Sequence, residues 1–241
     1  KQQLLDTIGV EITELPVTAL SDYALCPSRF KYRYVEGHLG YQGGNSLDGT
    51  SSDSVAPDAM APDALAVGML THTALELGIT EAKALAKHAP NLSEEMVQTA
   101  LNLATSFQTD DAYRPYRSDN LHREQSISLT VDGLTLNGKI DLVGDDFVLD
   151  FKTDRDMHPE HHQFQLWAYS KAAKKSSAHL AYLSLGFVHS FEADDLIRIE
   201  AEAKRLIGRL MQGDFAATAS EQVCKICSFS ECCADYKKSS E

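Results

Sequence analysis

No apolar run in these 241 residues is long enough to cross a bilayer, and none follows the opening Lys1-Gln2-Gln3, which also lacks an initiator Met. The first absence excludes a helical membrane anchor and the second leaves no secretory signal to read. Together they predict a cytoplasmic protein with no membrane partner. The missing Met fits a piece cut from a longer polypeptide. Basic residues are also scarce, 22 Lys and Arg against 35 Asp and Glu, for a net charge of −13. That balance excludes a protein that coats nucleic acid non-specifically, because neutralising phosphates needs concentrated cations. It leaves room for a locally basic groove. Small clusters stand at Arg29, Lys31 and Arg33 and at Lys171, Lys174 and Lys175, each equally readable as a solvated helix face. A G-x-x-x-x-G-K-S/T phosphate loop is missing too, so the chain has no nucleotide-driven motor of its own.

What is present begins with enough apolar residues, 43% of the chain, for a real core in one α/β domain over residues 1–241. Residues 41–62, rich in Gly, Ser, Asp, Ala and Pro and without periodicity, read as a disordered or loop insertion. Helical spacing marks Leu15–Gly37, the stretch from Asp63, Glu81–Gln108, a segment with Pro159 near its first turn, and Ala193–Phe215. In Glu81–Gln108 the cap is Ser93 and the apolar stripe is Met96, Ala100, Leu103 and Phe107. In Ala193–Phe215 the stripe is Leu196, Ile199, Ala203, Leu206 and Leu210. Alternation marks strands at Leu121–Val131, Ala178–Leu185 and Phe187–Phe191. Helices on a mixed sheet follow.

The centre of the pattern is Gly138–Thr153, GKIDLVGDDFVLDFKT. It predicts a hairpin of Lys139–Val143 and Phe147–Lys152 turning through Gly144-Asp145-Asp146. A period of two puts Val148, Asp150 and Lys152 on one face and Phe147, Leu149 and Phe151 on the other. With Asp145-Asp146 as the tight loop, Asp141 stands opposite Asp150, and two carboxylates and an ammonium group converge. Hard oxygen donors beside a lysine suit a divalent cation and metal-assisted hydrolysis of a phosphodiester. A solvated Asp–Lys pair on an ordinary hairpin has the same spacing.

Four of the five cysteines crowd into Cys224-x-x-Cys227 and Cys232-Cys233, with Cys26 far upstream. A metal centre accounts for them better than disulfides in an intracellular chain. Zinc and a [4Fe–4S] cluster both accept four thiolates, and spacing does not separate them. His72 lies among small and apolar helical residues, where a core histidine is the ordinary reading. His161 and His162 stand in a polar helix start and read as solvated.

Asp141 followed by Asp150-Phe151-Lys152 resembles the active-site core of the PD-(D/E)XK nuclease superfamily. Gly138-Lys139-Ile140-Asp141 and Asp150-Phe151-Lys152-Thr153 are more closely similar to its RecB-like branch, found in the nuclease domains of RecBCD, AddAB and AdnAB and in the CRISPR-adaptation nucleases. Gly68-Met69-Leu70-Thr71-His72 resembles that branch's G-x-x-x-H helix, and Gln165-Leu166-Trp167-Ala168-Tyr169 its Q-x-x-x-Y motif. The resemblance implies a restriction-endonuclease-like fold, a mixed central sheet flanked by helices. His72, Asp141 and Asp150, with the Phe151 carbonyl, would hold Mg²⁺ or Mn²⁺, the imidazole favouring Mn²⁺. Lys152 would assist the attacking water, and Gln165 and Tyr169 would seat DNA. Glu124 resembles the acidic residue at the start of the family's sheet, though a solvent-facing glutamate fits its strand as well.

A distant cysteine followed by C-x-x-C-x₅-C likewise resembles the cluster arrangement of this branch. It implies a [4Fe–4S] staple on Cys26, Cys224, Cys227 and Cys233 that joins the two ends of the chain, with Cys232 a spare able to substitute. The implied function is a metal-dependent nuclease, an exonuclease on DNA ends or single strands in repair or recombination, with a helicase domain or subunit as partner. The competing expectation is a non-catalytic DNA-binding module, or a zinc- or cluster-stapled structural module, of a larger repair helicase.

Overall fold

The structure, a computed structural model, describes residues 12–38, 62–118, 120–218, 220–225, 227–234 and 236. The predicted insertion therefore lies outside the described residues except for Pro62, which opens a helix. In chain order the longer elements are β1 (Glu14–Pro16), α1 (Ala19–Leu25), α2 (Pro27–Phe30), α3 (Pro62–Leu77), α4 (Ala82–Leu85), α5 (Glu94–Thr109), β2 (His122–Val131), β3 (Leu134–Val143), β4 (Phe147–Lys152), α6 (Pro159–Ala173), β5 (Ser177–Tyr182), β6 (Phe187–Phe191), α7 (Ala193–Met211) and α8 (Glu221–Lys225). A π-helical turn, Lys31–Val35, extends α2. No helix among the described residues is long and apolar enough to cross a membrane.

The sheet is mixed, in the order β1-β3-β4-β5-β6 with β2 also on β3; β1–β3 and β4–β5 are parallel, the rest antiparallel. Alternation along the strands feeds two cores, one on each face. Leu136, Ile140, Val148 and Leu180 pack with α1, α6 and α7, while Leu142, Leu149, Phe151 and Ala181 pack with α3 and α5. Three layers result, helices on both faces of a mixed sheet.

Local chemistry explains the individual helices. Pro159 takes the first position of α6, where its missing N–H costs nothing. In α5 the Ser93 side chain accepts from Met96 N–H as a cap, and in α7 Glu192 and Asp195 form a capping box over an inward stripe of Leu196, Ile199, Ala203, Leu206 and Leu210. The stripe of α5 differs from expectation: it runs through Val97, Ala100, Leu101, Ala104 and Phe107. Leu70 and Ala74 of α3 and Phe151 of the sheet meet that side, which leaves Met96 and Leu103 at its margin. At α1, Thr18 occupies the cap position without a side-chain bond. Ser21 instead donates to the His161 carbonyl at 2.7 Å and ties α1 to the start of α6.

Candidate active site

The hairpin has the predicted register. Leu142 faces Leu149 and Val143 faces Val148, with Gly144 N–H donating to the Phe147 carbonyl at 3.0 Å across the Asp145-Asp146 loop. Continuing that register sets Asp141 against Asp150, but the ladder stops there. A strand has two edges, and β2 follows one edge of β3 from Leu134 to Val143. The other edge is shared, β1 taking Thr135–Asn137 and β4 taking Leu142–Val143. Gly138–Asp141 thus border an opening in the sheet. Across it, Asp141 Oδ2 accepts the Phe151 N–H at 2.7 Å, a carboxylate standing where a ladder carbonyl would.

The strand facing also changes at this point. Leu134, Leu136 and Ile140 alternate toward one core, then Leu142 faces the other and Val143 the first again. Opposite Asp141 on β2 stands Glu124, between the paired residues Arg123 and Gln125, with φ of +55°. A left-handed glutamate inside a strand is strained, and it turns both chains out of alternation together. The side chains delivered to the opening are polar.

Both helical layers reach in. From α3, His72 Nδ1 lies 3.3 Å from Asp141 Oδ1, and ligand atoms of His72, Glu124 and Asp141 all lie within 4.8 Å of one another. Gly68, one turn earlier, keeps the approach close: a Cβ there would stand 3.0 Å from Thr153 Oγ1. From α6, Gln165 Nε2 donates to Asp150 Oδ1 at 3.1 Å and to the Tyr169 hydroxyl at 3.0 Å. Tyr169 fits only because residue 138 is glycine: a Cβ there would lie 2.8 Å from the Tyr169 ring and 2.9 Å from Val17. Lys152 Nζ lies 2.8 Å from Asp150 Oδ2, an ion pair inside the opening. A carboxylate only 4% exposed is thus held between the Lys152 ammonium and the Gln165 amide, and an oxygen donor so placed suits a cation.

Electrostatics agree. Burial and the nearby Asp150 raise the Asp141 pKa against the opposing pull of His72 and the Phe151 N–H. Burial draws His72 and Lys152 down, but the surrounding carboxylates together outweigh it, Asp141 foremost at the imidazole and Asp150 at the ammonium, so both rise and Lys152 stays charged. Glu124 binds Lys139 Nζ at 2.6 Å and turns a side chain only 15% exposed toward the opening. His162, expected to be solvated, is half-buried. Burial, then the Lys152 charge, pushes its pKa down to about 3. Its neighbour in sequence, His161, points away from this group and with His158 and Glu160 forms a second cluster on the surface. Sequence reading missed His162 because it follows an outward residue at the start of a helix with little amphipathic contrast.

A second site lies at the junction of α2 with the C-terminal segment. Cys26, Cys224, Cys227 and Cys233 line a cavity of about 210 Å³ together with Arg29, Tyr32 and Phe229. Cys232 is exposed and donates its S–H to the Phe229 carbonyl at 3.2 Å. Burial and the neighbouring thiols raise the Cys224 pKa. Burial does the same at Cys227, against the Phe229 N–H and Arg29. In the first basic cluster Arg29 and Arg33 meet Asp22 at 3.2 and 2.8 Å and Lys31 meets Glu36 at 2.7 Å; in the second, Lys171 meets Glu200 at 2.8 Å.

Residues 14–234 match the family model described as the PD-(D/E)XK nuclease superfamily. No curated protein matches. Among solved structures, a putative exonuclease from Eubacterium rectale is 12% identical, with a TM-score of 0.55 over 95% of this chain and 88% of that one. The protein SSO0001 is 18% identical, with a TM-score of 0.50 over 93% of this chain and 88% of that one. At these identities the likeness is one of fold.

Proposed function

This chain belongs to the PD-(D/E)XK nuclease superfamily, and on that premise we propose that it is a metal-dependent deoxyribonuclease of the RecB-like branch. Its substrate is a DNA end or single strand in repair or recombination, and it works as one nuclease domain beside a helicase domain or subunit. The single observation that carries this reading is the opening in the sheet, into which His72, Asp141, Asp150 and Lys152 converge from three elements. His72, Asp141 and Asp150, with the Phe151 carbonyl, would hold Mg²⁺ or Mn²⁺, and Glu124 lies within reach of His72 and Asp141. When bound, the cation supplies Lewis acidity and a more acidic attacking water. Lys152 orients that water and stabilises charge on the phosphate. Gln165 fixes Asp150 and Tyr169, and together Gln165 and Tyr169 seat the strand. The imidazole ligand favours Mn²⁺ over Mg²⁺.

The cysteine cavity fits a [4Fe–4S] cluster on Cys26, Cys224, Cys227 and Cys233. Tetrahedral zinc with bonds of ~2.3 Å draws its sulfurs to roughly 3.8 Å of one another. Among the described residues, no cysteine belongs to a group of three donors within 4.8 Å. Sulfurs spread around a cavity suit a larger inorganic core. Cys233 lines that cavity and Cys232 does not, which supports Cys233 as the fourth ligand.

Asp150→Ala and Lys152→Ala test the catalytic assignment on labelled linear DNA with Mn²⁺. Loss of cleavage in folded protein is expected, and full activity in both variants would defeat it. Tight DNA binding without cleavage by the intact protein would favour the non-catalytic module.

A further inference from the structure

We propose that His158, Glu160 and His161 form a zinc site at the start of α6, separate from the opening in the sheet and from the cysteine cavity. Ligand atoms of these three side chains all lie within 4.8 Å of one another. Both imidazoles converge on a single carboxylate oxygen, His158 Nδ1 at 3.4 Å and His161 Nε2 at 3.8 Å from Glu160 Oε1. Nitrogen and oxygen donors bound at ~2.0–2.2 Å to a tetrahedral zinc stand roughly 3.3–3.6 Å apart. The first separation already falls in that range, and the second needs only a small side-chain adjustment. The two rings lie nearly parallel, with centroids 5.0 Å apart and an interplanar angle of 18°.

The backbone holds the three donors in place before any ion arrives. Pro159 stands between the first two and fixes its own φ, and the Ser21 hydroxyl anchors the third by donating to the His161 carbonyl at 2.7 Å. Less ordering is then left for binding to impose. Two imidazoles and one carboxylate suit Zn²⁺, whereas Mg²⁺ takes oxygen donors. Side chains 57%, 59% and 39% exposed, in chain order, leave a path for the ion and room for water as fourth ligand. The dipole of α6 opposes a cation at its N-terminus, so the charge of Glu160 is needed as well as its oxygen. Bound zinc ties the loop after Lys152 to the helix that carries Gln165 and Tyr169.

The test is a calorimetric zinc titration of the anaerobically purified Asp141→Asn protein, a background that disables the opening in the sheet. Metal already held at the cysteines is measured beforehand. A further equivalent of zinc should bind. His158→Ala, His161→Ala and Glu160→Gln, each added to that background, should weaken this binding at least ~10-fold. Zinc should also slow tryptic cleavage after Arg155, an exposed residue of the loop, and should lose that effect once His158→Ala is present. No further equivalent, or one bound equally well after His158→Ala and His161→Ala are combined, would overturn the proposal. Neither readout needs cleavage of DNA, so a failure of the nuclease reading leaves the zinc result intact.

Discussion

The opening in the sheet and the cysteine cavity both collect residues from distant parts of the chain, but they are held differently. Around the opening, every candidate side chain stands on a strand or a long helix packed against one of the two cores. Around the cavity, the cysteines sit on the four-residue α2 boundary, the five-residue α8 and the turns after it, with Phe229 as the main buried apolar residue of that last segment. The first site is placed by the fold; the second, on the cluster reading proposed above, would join α2 to the C-terminal segment and would need its own bonds to do so. Removing a ligand should therefore have opposite consequences at the two places.

The largest difference is expected at Cys227→Ala. Losing one thiolate should release the inorganic group and free the C-terminal segment, lowering the thermal midpoint and opening that segment to proteolysis. Asp150→Ala should leave both readouts near wild type. Equal stability in the two variants would erase the distinction. Next in size is Gly138→Ala. A methyl group there meets the Tyr169 ring at 2.8 Å and pushes it away from Gln165. A small displacement of positioning residues costs roughly ten- to hundredfold in turnover. The checks are steady-state cleavage and a melting curve, with the loss falling on kcat.

A further prediction concerns pH and belongs to neither site. Burial pushes the His179 pKa down to about 4, beside Ser177, Ser190 and Tyr116. The unfolded imidazole protonates near its ordinary value, so this contribution to stability is complete above that value and is lost as pH falls toward 4, at up to ~1.4 kcal/mol per pH unit. His179→Gln should flatten the acid limb of the stability profile. An unchanged limb would show that other groups govern it.

Much of the first site was legible because hairpin register follows from loop length. Once Asp145-Asp146 is the turn, Asp141 must oppose Asp150, and alternation puts Lys152 beside it. The two helical motifs, His72 one turn past Gly68 and Tyr169 one turn past Gln165, were legible only through the family resemblance, since spacing alone reads His72 as a core histidine. Hidden was the change of facing at Asp141 and Glu124. A left-handed glutamate has no sequence signature, since glycine or asparagine is the usual sign of that conformation. Equally hidden was the role of Gly138, whose missing Cβ matters through Tyr169, 31 positions away. At the cysteines, spacing pointed to a metal centre and the family resemblance supplied the set of four. It could not show that Arg29, in a sequence cluster resembling a solvated face, turns inward.

The central claim is that the opening between β1 and β4 holds the catalytic cation. Its most direct test is Mn²⁺ titration followed by EPR on the anaerobic protein and on Asp141→Asn, each sample assayed in parallel on labelled linear single- and double-stranded DNA. The expected result is bound Mn²⁺ with metal-dependent cleavage in the wild type and loss of both in the variant. Unchanged Mn²⁺ binding and unchanged cleavage in Asp141→Asn would contradict it.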